Sequence, residues 1–158
     1  MNILHLRASN FVGGPEKQIL EHFRYIDKER YHLFLGIFGE KNCPSELAQE
    51  AKKHGIDCIE LNSKLPFSPF LIFQLSNEIK RQNIDILCTH GYKPNIIGYW
   101  ACKLVPCIHI AFSRGFTAEN FKVKVYEWLD KIILRRVKNV IAVSDGHAKE
   151  LIHFGING

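Results

Sequence analysis

The chain has 158 residues, 46% apolar and 23% charged, the balance of a soluble globular domain with room for one proper core. Its formal net charge of +5 suits a phosphate-bearing or otherwise anionic partner, but no RNP, zinc-finger or helix-turn-helix pattern accompanies it, so nucleic acid is not expected as a partner. No apolar run approaches the roughly 18 residues of a membrane span, the N-terminus lacks the parts of a secretory signal, and five cysteines without a C-x-x-C pair point to the cytoplasm and against a disulfide framework or zinc site.

Six short apolar or β-branched runs read as strands: 2–6, 32–38, 57–61, 85–90, 107–112 and 139–143. Segments of helical periodicity follow each of them. In 15–28, Ile19, Phe23 and Ile26 form one stripe opposite Lys17, Glu21, Arg24 and Lys28. The second helix, 45–55, stops at a glycine. The third, 69–83, lines one face with Ile72, Leu75 and Ile79, and the fourth covers 93–104. The fifth, 121–138, carries Val125, Leu129, Ile132, Ile133 and Val137 as the expected core stripe, with Lys122, Lys124, Lys131, Arg135, Arg136 and Lys138 as a basic face. That face suits either solvent or the surface of a membrane, and Phe67, Phe70 and Phe73 form a second, weaker interfacial patch. The sixth helix, 144–155, begins at the N-cap Ser144 and ends at Gly155.

Strands that alternate with helices of this length form βαβ units. Continuous apolar strands require both sheet faces to be covered. The predicted architecture is therefore α/β: a doubly wound, mostly parallel, Rossmann-like sheet of about six or seven strands in the order 3-2-1-4-5-6. Such sheets bind ligands beyond the carboxyl ends of the strands, where the strand order reverses. That rule selects three loops, "RASNFVGG" (7–14), "HGYKPN" (90–95) and "SRGFTAEN" (113–120).

In the first loop, Gly13 and Gly14 permit close backbone approach, and Pro15 starts a helix whose free N–H groups suit a phosphate or carboxylate. Glu16 and Asn10 flank this turn. The turn matches neither the P-loop nor the dinucleotide fingerprint. In the second loop, His90 closes an apolar strand and could carry a proton or bond a substrate hydroxyl, with Tyr92, Lys93 and Asn95 beside it. In the third, Arg114 could pair with a phosphate or carboxylate. Ser113 lacks a nucleophile elbow, and Glu119 and Asn120 read first as helix caps. His5 and His109 read as core or supporting residues. The remaining five histidines share no spacing that a metal would need.

Four segments occur in a particular order: "GGPEKQILEHF", "DILCTHGYKPNIIGYWA", "IAFSRGFTAEN" and "DKIILRRVKNVIAVSDGHAKEL". Together they resemble the N-terminal domain of GT-B-fold glycosyltransferases of family 4. The resemblance implies a single Rossmann-like domain over 1–158, followed in the whole protein by a C-terminal domain that holds a nucleotide sugar. It implies transfer of that sugar, with retention and without a required metal or other cofactor, to a glycan or lipid-linked acceptor in the cleft between the domains. Gly13 and Gly14, with Glu16, would face the donor phosphates. Asn10, Tyr92, Lys93, Asn95, Glu119 and Asn120 would serve the acceptor side. Many family members place a functional histidine after the fifth strand. Ser113 or Arg114 stands there in this chain, and His90 is the other candidate for a catalytic role. The location implied is the cytoplasm, with peripheral contact on the inner face of the membrane. A single lobe is expected to be inactive alone. The alternatives are a stand-alone flavodoxin-like binding module or the lobe of another GT-B enzyme such as a nucleotide-sugar epimerase.

Overall fold

The computed structural model describes residues 1–9, 11–39, 45–63, 68–116 and 121–156, the first two of the last stretch by backbone only. Asn10, Phe67, Glu119 and Asn120, singled out from the sequence, lie outside the described residues. Among the described residues six strands, β1 (Asn2–Arg7), β2 (His32–Gly39), β3 (Asp57–Asn62), β4 (Ile86–His90), β5 (Ile108–Ser113) and β6 (Asn139–Ala142), alternate with six helices. These are α1 (Gly14–Tyr25), α2 (Glu46–Lys53), α3 (Pro69–Arg81), α4 (Tyr92–Leu104), α5 (Phe121–Leu134) and α6 (Asp145–His153). Every strand pair is parallel and the order is β3-β2-β1-β4-β5-β6, as the alternation of runs predicts.

The starts of the helices follow from local chemistry. Ser45 Oγ accepts from Ala48 N–H, Ser68 Oγ from Phe70 N–H and Ser144 Oγ from His147 N–H, each satisfying a donor that the helix itself cannot. Gly91 caps α4 with φ of +92°, a conformation that a side chain disfavours.

The period of two along each strand then sorts the core into layers. Ile3, Leu33, Leu35, Ile37 and Cys88 pack under α1 and α2 against Ile19, Phe23, Leu47 and Ala51. Leu4, Leu6, Phe34, Leu61 and Leu87 pack on the opposite face against Leu71, Leu75, Ile79 and Ile97 of α3 and α4. Gly98 is what lets α4 lie so close to the sheet, since a Cβ there would sit 2.5 Å from Thr89 Cγ2.

Three expectations are corrected. The fifth helix ends at Leu134, four residues before 138, although Val137 is still buried. Its expected core stripe holds only towards its C-terminal end: Ile133 and Val137 are buried, but Val125 and Leu129 are exposed beside Trp128, while Glu127 and Asp130 point inward. Periodicity misplaced the earlier turns because two buried carboxyl groups interrupt the inward face. The sheet is also covered less evenly than continuous apolar strands suggest. Ile108 and Ile141, on the last two strands, are exposed.

Candidate functional site at the carboxyl edge of the sheet

The order of strands reverses between β1 and β4, and the register sets Arg7 opposite His90 and His90 opposite Phe112. The ends of three strands thus meet at one place. Arg7 lies two residues beyond His5 on the same sheet face. Its Nε donates to Glu16 Oε1 at 2.6 Å and its Nη1 to the His90 carbonyl at 3.0 Å. Glu16 is fully buried, and its other oxygen accepts from Gly13 N–H at 3.0 Å. The carboxylate of the chain's own helix therefore occupies part of the anion-friendly turn that the glycine pair suggests. Burial would raise the Glu16 pKa. The Arg7 hydrogen bond and charge, its own backbone N–H and that of Gly13 outweigh burial and hold the group below the ordinary range.

The two glycines have different reasons to be glycine. A Cβ at Gly13 would meet Glu16 Oε2 at 3.0 Å and Phe11 at 3.1 Å, so the buried carboxylate demands the missing side chain. Gly14 is exposed with none of the described residues within 4 Å of that position, which leaves its backbone open to them on that side.

Arg114 reaches back over this turn. Its Nη1 donates to Gln18 Oε1 on α1 at 2.9 Å, its Nη2 lies 3.4 Å from His90 Nδ1, and its buried Nε has no partner among the described residues. Two guanidinium groups thus converge where the described residues place one carboxylate, an arrangement that favours an incoming anion. Burial, then the Arg7 charge, lowers the Arg114 pKa against the opposing pull of Glu16.

His90 is buried, with its ring stacked on Phe112 at 4.5 Å. Burial first, then the positive field of His5, Arg114, Arg7 and His22, pushes its pKa down to about 2. It is a neutral hydrogen-bonding group rather than a cation. Behind it, His5 Nδ1 is 3.0 Å from His90 Nε2 and His22 Nδ1 is 3.1 Å from His5 Nε2.

Ser113 is buried and committed elsewhere. Its Oγ is 2.7 Å from His147 Nε2, which also accepts Gly115 N–H at 3.2 Å, while His147 Nδ1 lies 2.9 Å from Glu150 Oε2. Because Gly115 can only donate, Nε2 is the accepting nitrogen, Ser113 donates its proton to it and Nδ1–H faces Glu150. This clamp ties the loop that carries Arg114 to the start of α6.

Tyr92 stacks on Tyr126 at 5.4 Å and stays partly exposed, and the Lys93 ammonium lies 4.1 Å from the centre of the Phe38 ring. Asn95 does not face the cleft. It is fully buried, accepts from Thr89 Oγ1 at 2.6 Å and donates to Asp130 Oδ1 at 3.0 Å. Gly13, Gly14, Glu16, His90 and Arg114 are brought together, whereas Asn95 belongs to the opposite face of the sheet. Arg7, Gln18, His5, His22 and His147 were not foreseen as site residues. The spacing His5-x-Arg7 ahead of the glycine pair carried a usable signal for Arg7, since it sets both on one face.

The fold has counterparts in known proteins. An Anabaena protein, Alr3699/HepE in complex with UDP and glucose, superposes with a TM-score of 0.78 at 18% identity, over 99% of this chain and 42% of that one. A glycosyltransferase from Rickettsia africae gives a TM-score of 0.73 at 25% identity, over 99% and 40% of the two chains. The UDP-Gal:alpha-D-GlcNAc-diphosphoundecaprenol alpha-1,3-galactosyltransferase of Escherichia coli is 24% identical over 136 residues, 82% of this chain and 35% of that enzyme. The chain thus spans about a third of the curated relative that it matches. The family model of Glycosyltransferase Family 4 matches residues 12–158, and the chain belongs to that family.

Proposed function

We propose that this chain is the acceptor-side lobe of a glycosyltransferase that moves a sugar from a nucleotide-sugar donor to a glycan or lipid-linked acceptor. The observation that carries the reading is the arginine-lined end of the sheet at the reversal of strand order, in a chain that belongs to glycosyltransferase family 4. Arg114, whose Nε has no partner among the described residues, and the backbone of Gly14 form one wall for the donor diphosphate. Charge that develops on that leaving group is stabilised by fixed donors, and the guanidinium is one. His90, neutral and pre-set, accepts a hydrogen bond from a sugar or acceptor hydroxyl. Ser113 acts on the loop through His147, while Tyr92 and Lys93 flank the acceptor side.

The rest of the machine belongs to a second domain that binds the nucleotide. No metal or cofactor enters this reading, because paired guanidinium groups offset the phosphate charge. The place of work is the cytoplasmic side of a membrane. Among the described residues no helix is long and apolar enough to cross one. The exposed Val125, Trp128 and Leu129 beside Lys124 support peripheral contact with an anionic lipid surface.

The test is sugar transfer by the whole protein from a panel of UDP- and GDP-sugars to diphosphopolyprenol-linked acceptors. Arg114→Met is expected to reduce kcat by at least a hundredfold. Residues 1–158 alone are expected to give no transfer. Binding of no nucleotide sugar by the whole protein, or transfer by the isolated lobe, would overturn the reading.

A further inference from the structure

Three histidines from three different elements stand in a row on the α1 face of the sheet. His22, on α1, is exposed, and His5 and His90, on β1 and β4, are 3% and 2% exposed. The contacts are His22 Nδ1 to His5 Nε2 at 3.1 Å and His5 Nδ1 to His90 Nε2 at 3.0 Å. The row ends at Arg114 Nη2, 3.4 Å from His90 Nδ1. Groups facing it are Arg7 with its partner Glu16 at the carboxyl edge, Phe23 of α1 against His5, and Phe112 of β5 against His90. A pair of imidazoles inside an apolar layer is tolerable because every buried ring nitrogen has a partner.

The row has a direction. A guanidinium only donates, so His90 Nδ1 accepts. A neutral imidazole carries a single N–H, so that of His90 is on Nε2 and is donated to His5 Nδ1. By the same step His5 holds its proton on Nε2 and donates to His22 Nδ1. His22 then presents Nε2–H to solvent. One charged group at the sheet edge therefore sets the tautomer of all three rings.

We infer that Arg114 sets the tautomers of His90, His5 and His22 through this row and so holds the outer nitrogen of His90, Nδ1, as a hydrogen-bond acceptor at the arginine-lined end of the sheet. The inference rests on the sugar-transfer reading for the ligand: a sugar or acceptor hydroxyl donates to His90 Nδ1 in place of the Arg114 N–H, and no proton passes to the ring. His5 and His22 are positioning residues that act through His90.

Nitrogen-15 spectra of the histidine-labelled chain at neutral pH report which ring nitrogen holds each proton. The expected result is Nε2–H on all three rings, with nitrogen–nitrogen couplings across both histidine–histidine bonds. Arg114→Met is expected to give mixed tautomers along the whole row, His22 included, and Arg114→Lys, which also only donates, to restore the single form. His22→Phe is expected to leave His5 and His90 as Nε2–H, because direction is imposed from the other end. An Nδ1–H form in the unaltered chain, unchanged tautomers in Arg114→Met, or mixed tautomers in His22→Phe would each overturn the inference. These spectra do not depend on sugar transfer. Failed transfer with the expected tautomers removes only the hydroxyl ligand, whereas wrong tautomers in an active transferase remove only the row set by Arg114.

Discussion

Thr89 and His90 are neighbours on β4 and begin two buried polar networks that differ in kind. His90 faces α1 and joins His5 and His22 in a row that runs from solvent to the arginines. Thr89 faces α4 and joins His109, Asn95 and Asp130 in a network on the opposite face of the sheet. Direction is fixed in both, but by different ends. On the Thr89 side, Asn95 Oδ1 can only accept, so Thr89 donates to it and His109 Nε2–H donates to Thr89. The first network ends at the candidate site and holds neutral bases. The second lies on the other face of the sheet and holds a buried acid. The contrast separates a network that reaches the carboxyl edge of the sheet from one that joins α4 and α5.

The most severe test strikes the anchor of the open network. Glu16→Ala leaves Arg7 without its carboxylate in a largely buried site, and a loss of about 3 to 5 kcal/mol is expected in urea unfolding. Glu16→Gln, which keeps an acceptor, is expected to lose less.

The two networks should also answer pH in opposite directions. Burial, opposed by the Asn95 N–H and reinforced by Glu127, raises the Asp130 pKa from 3.8 to about 7. The folded state then binds the proton more tightly than the unfolded one, so this group's contribution is complete below pH 3.8 and is lost as pH rises towards 7. Asp130→Asn is expected to remove that loss and to stabilise the protein above pH 7 by roughly 1 to 3 kcal/mol relative to the unaltered chain. His5 and His90 do the reverse. Burial leads the causes that lower them from 6.5 to about 3 and about 2. Their contribution is therefore present above pH 6.5 and drains away as pH falls towards 3. His5→Phe is expected to flatten this acid limb, followed as the urea midpoint between pH 4 and 7.

Thr89→Val removes the hydroxyl on which both His109 and Asn95 depend, and a cost of about 1 to 3 kcal/mol is expected with the α1 face untouched. A change in the tautomer of His90 in that variant would show that the two networks are not separate. Gly14→Ala is expected to have the smallest effect on stability, within about 0.5 kcal/mol, because the added methyl meets none of the described residues. Weaker binding of nucleotide sugar by the same variant of the whole protein would place the ligand against that backbone.

The strand and helix pattern was legible because each run obeys its own period, and the crossover rule leaves few ways to join parallel strands. The three loops of the site were legible for the same reason, since topology alone brings their strand ends together. The roles within them were harder to read. Gly13 and Gly14 look alike in sequence, yet one makes room for Glu16 and the other stands open. Asn95 sits in a loop-like "KPN" stretch but turns into the α4–α5 interface. His5, His22 and His90 are separated by 17 and 85 residues along the chain, and no local spacing announces their contact.

By itself the sequence determined the alternation of strands and helices, the parallel sheet and the edge where the strand order reverses, because those follow from hydrophobic period, caps and chain connectivity. Only the tertiary structure decided which polar groups share a buried partner, which face of α5 is inside and which way the histidine row points. Those depend on contacts between residues distant in sequence and on donors that cannot also accept.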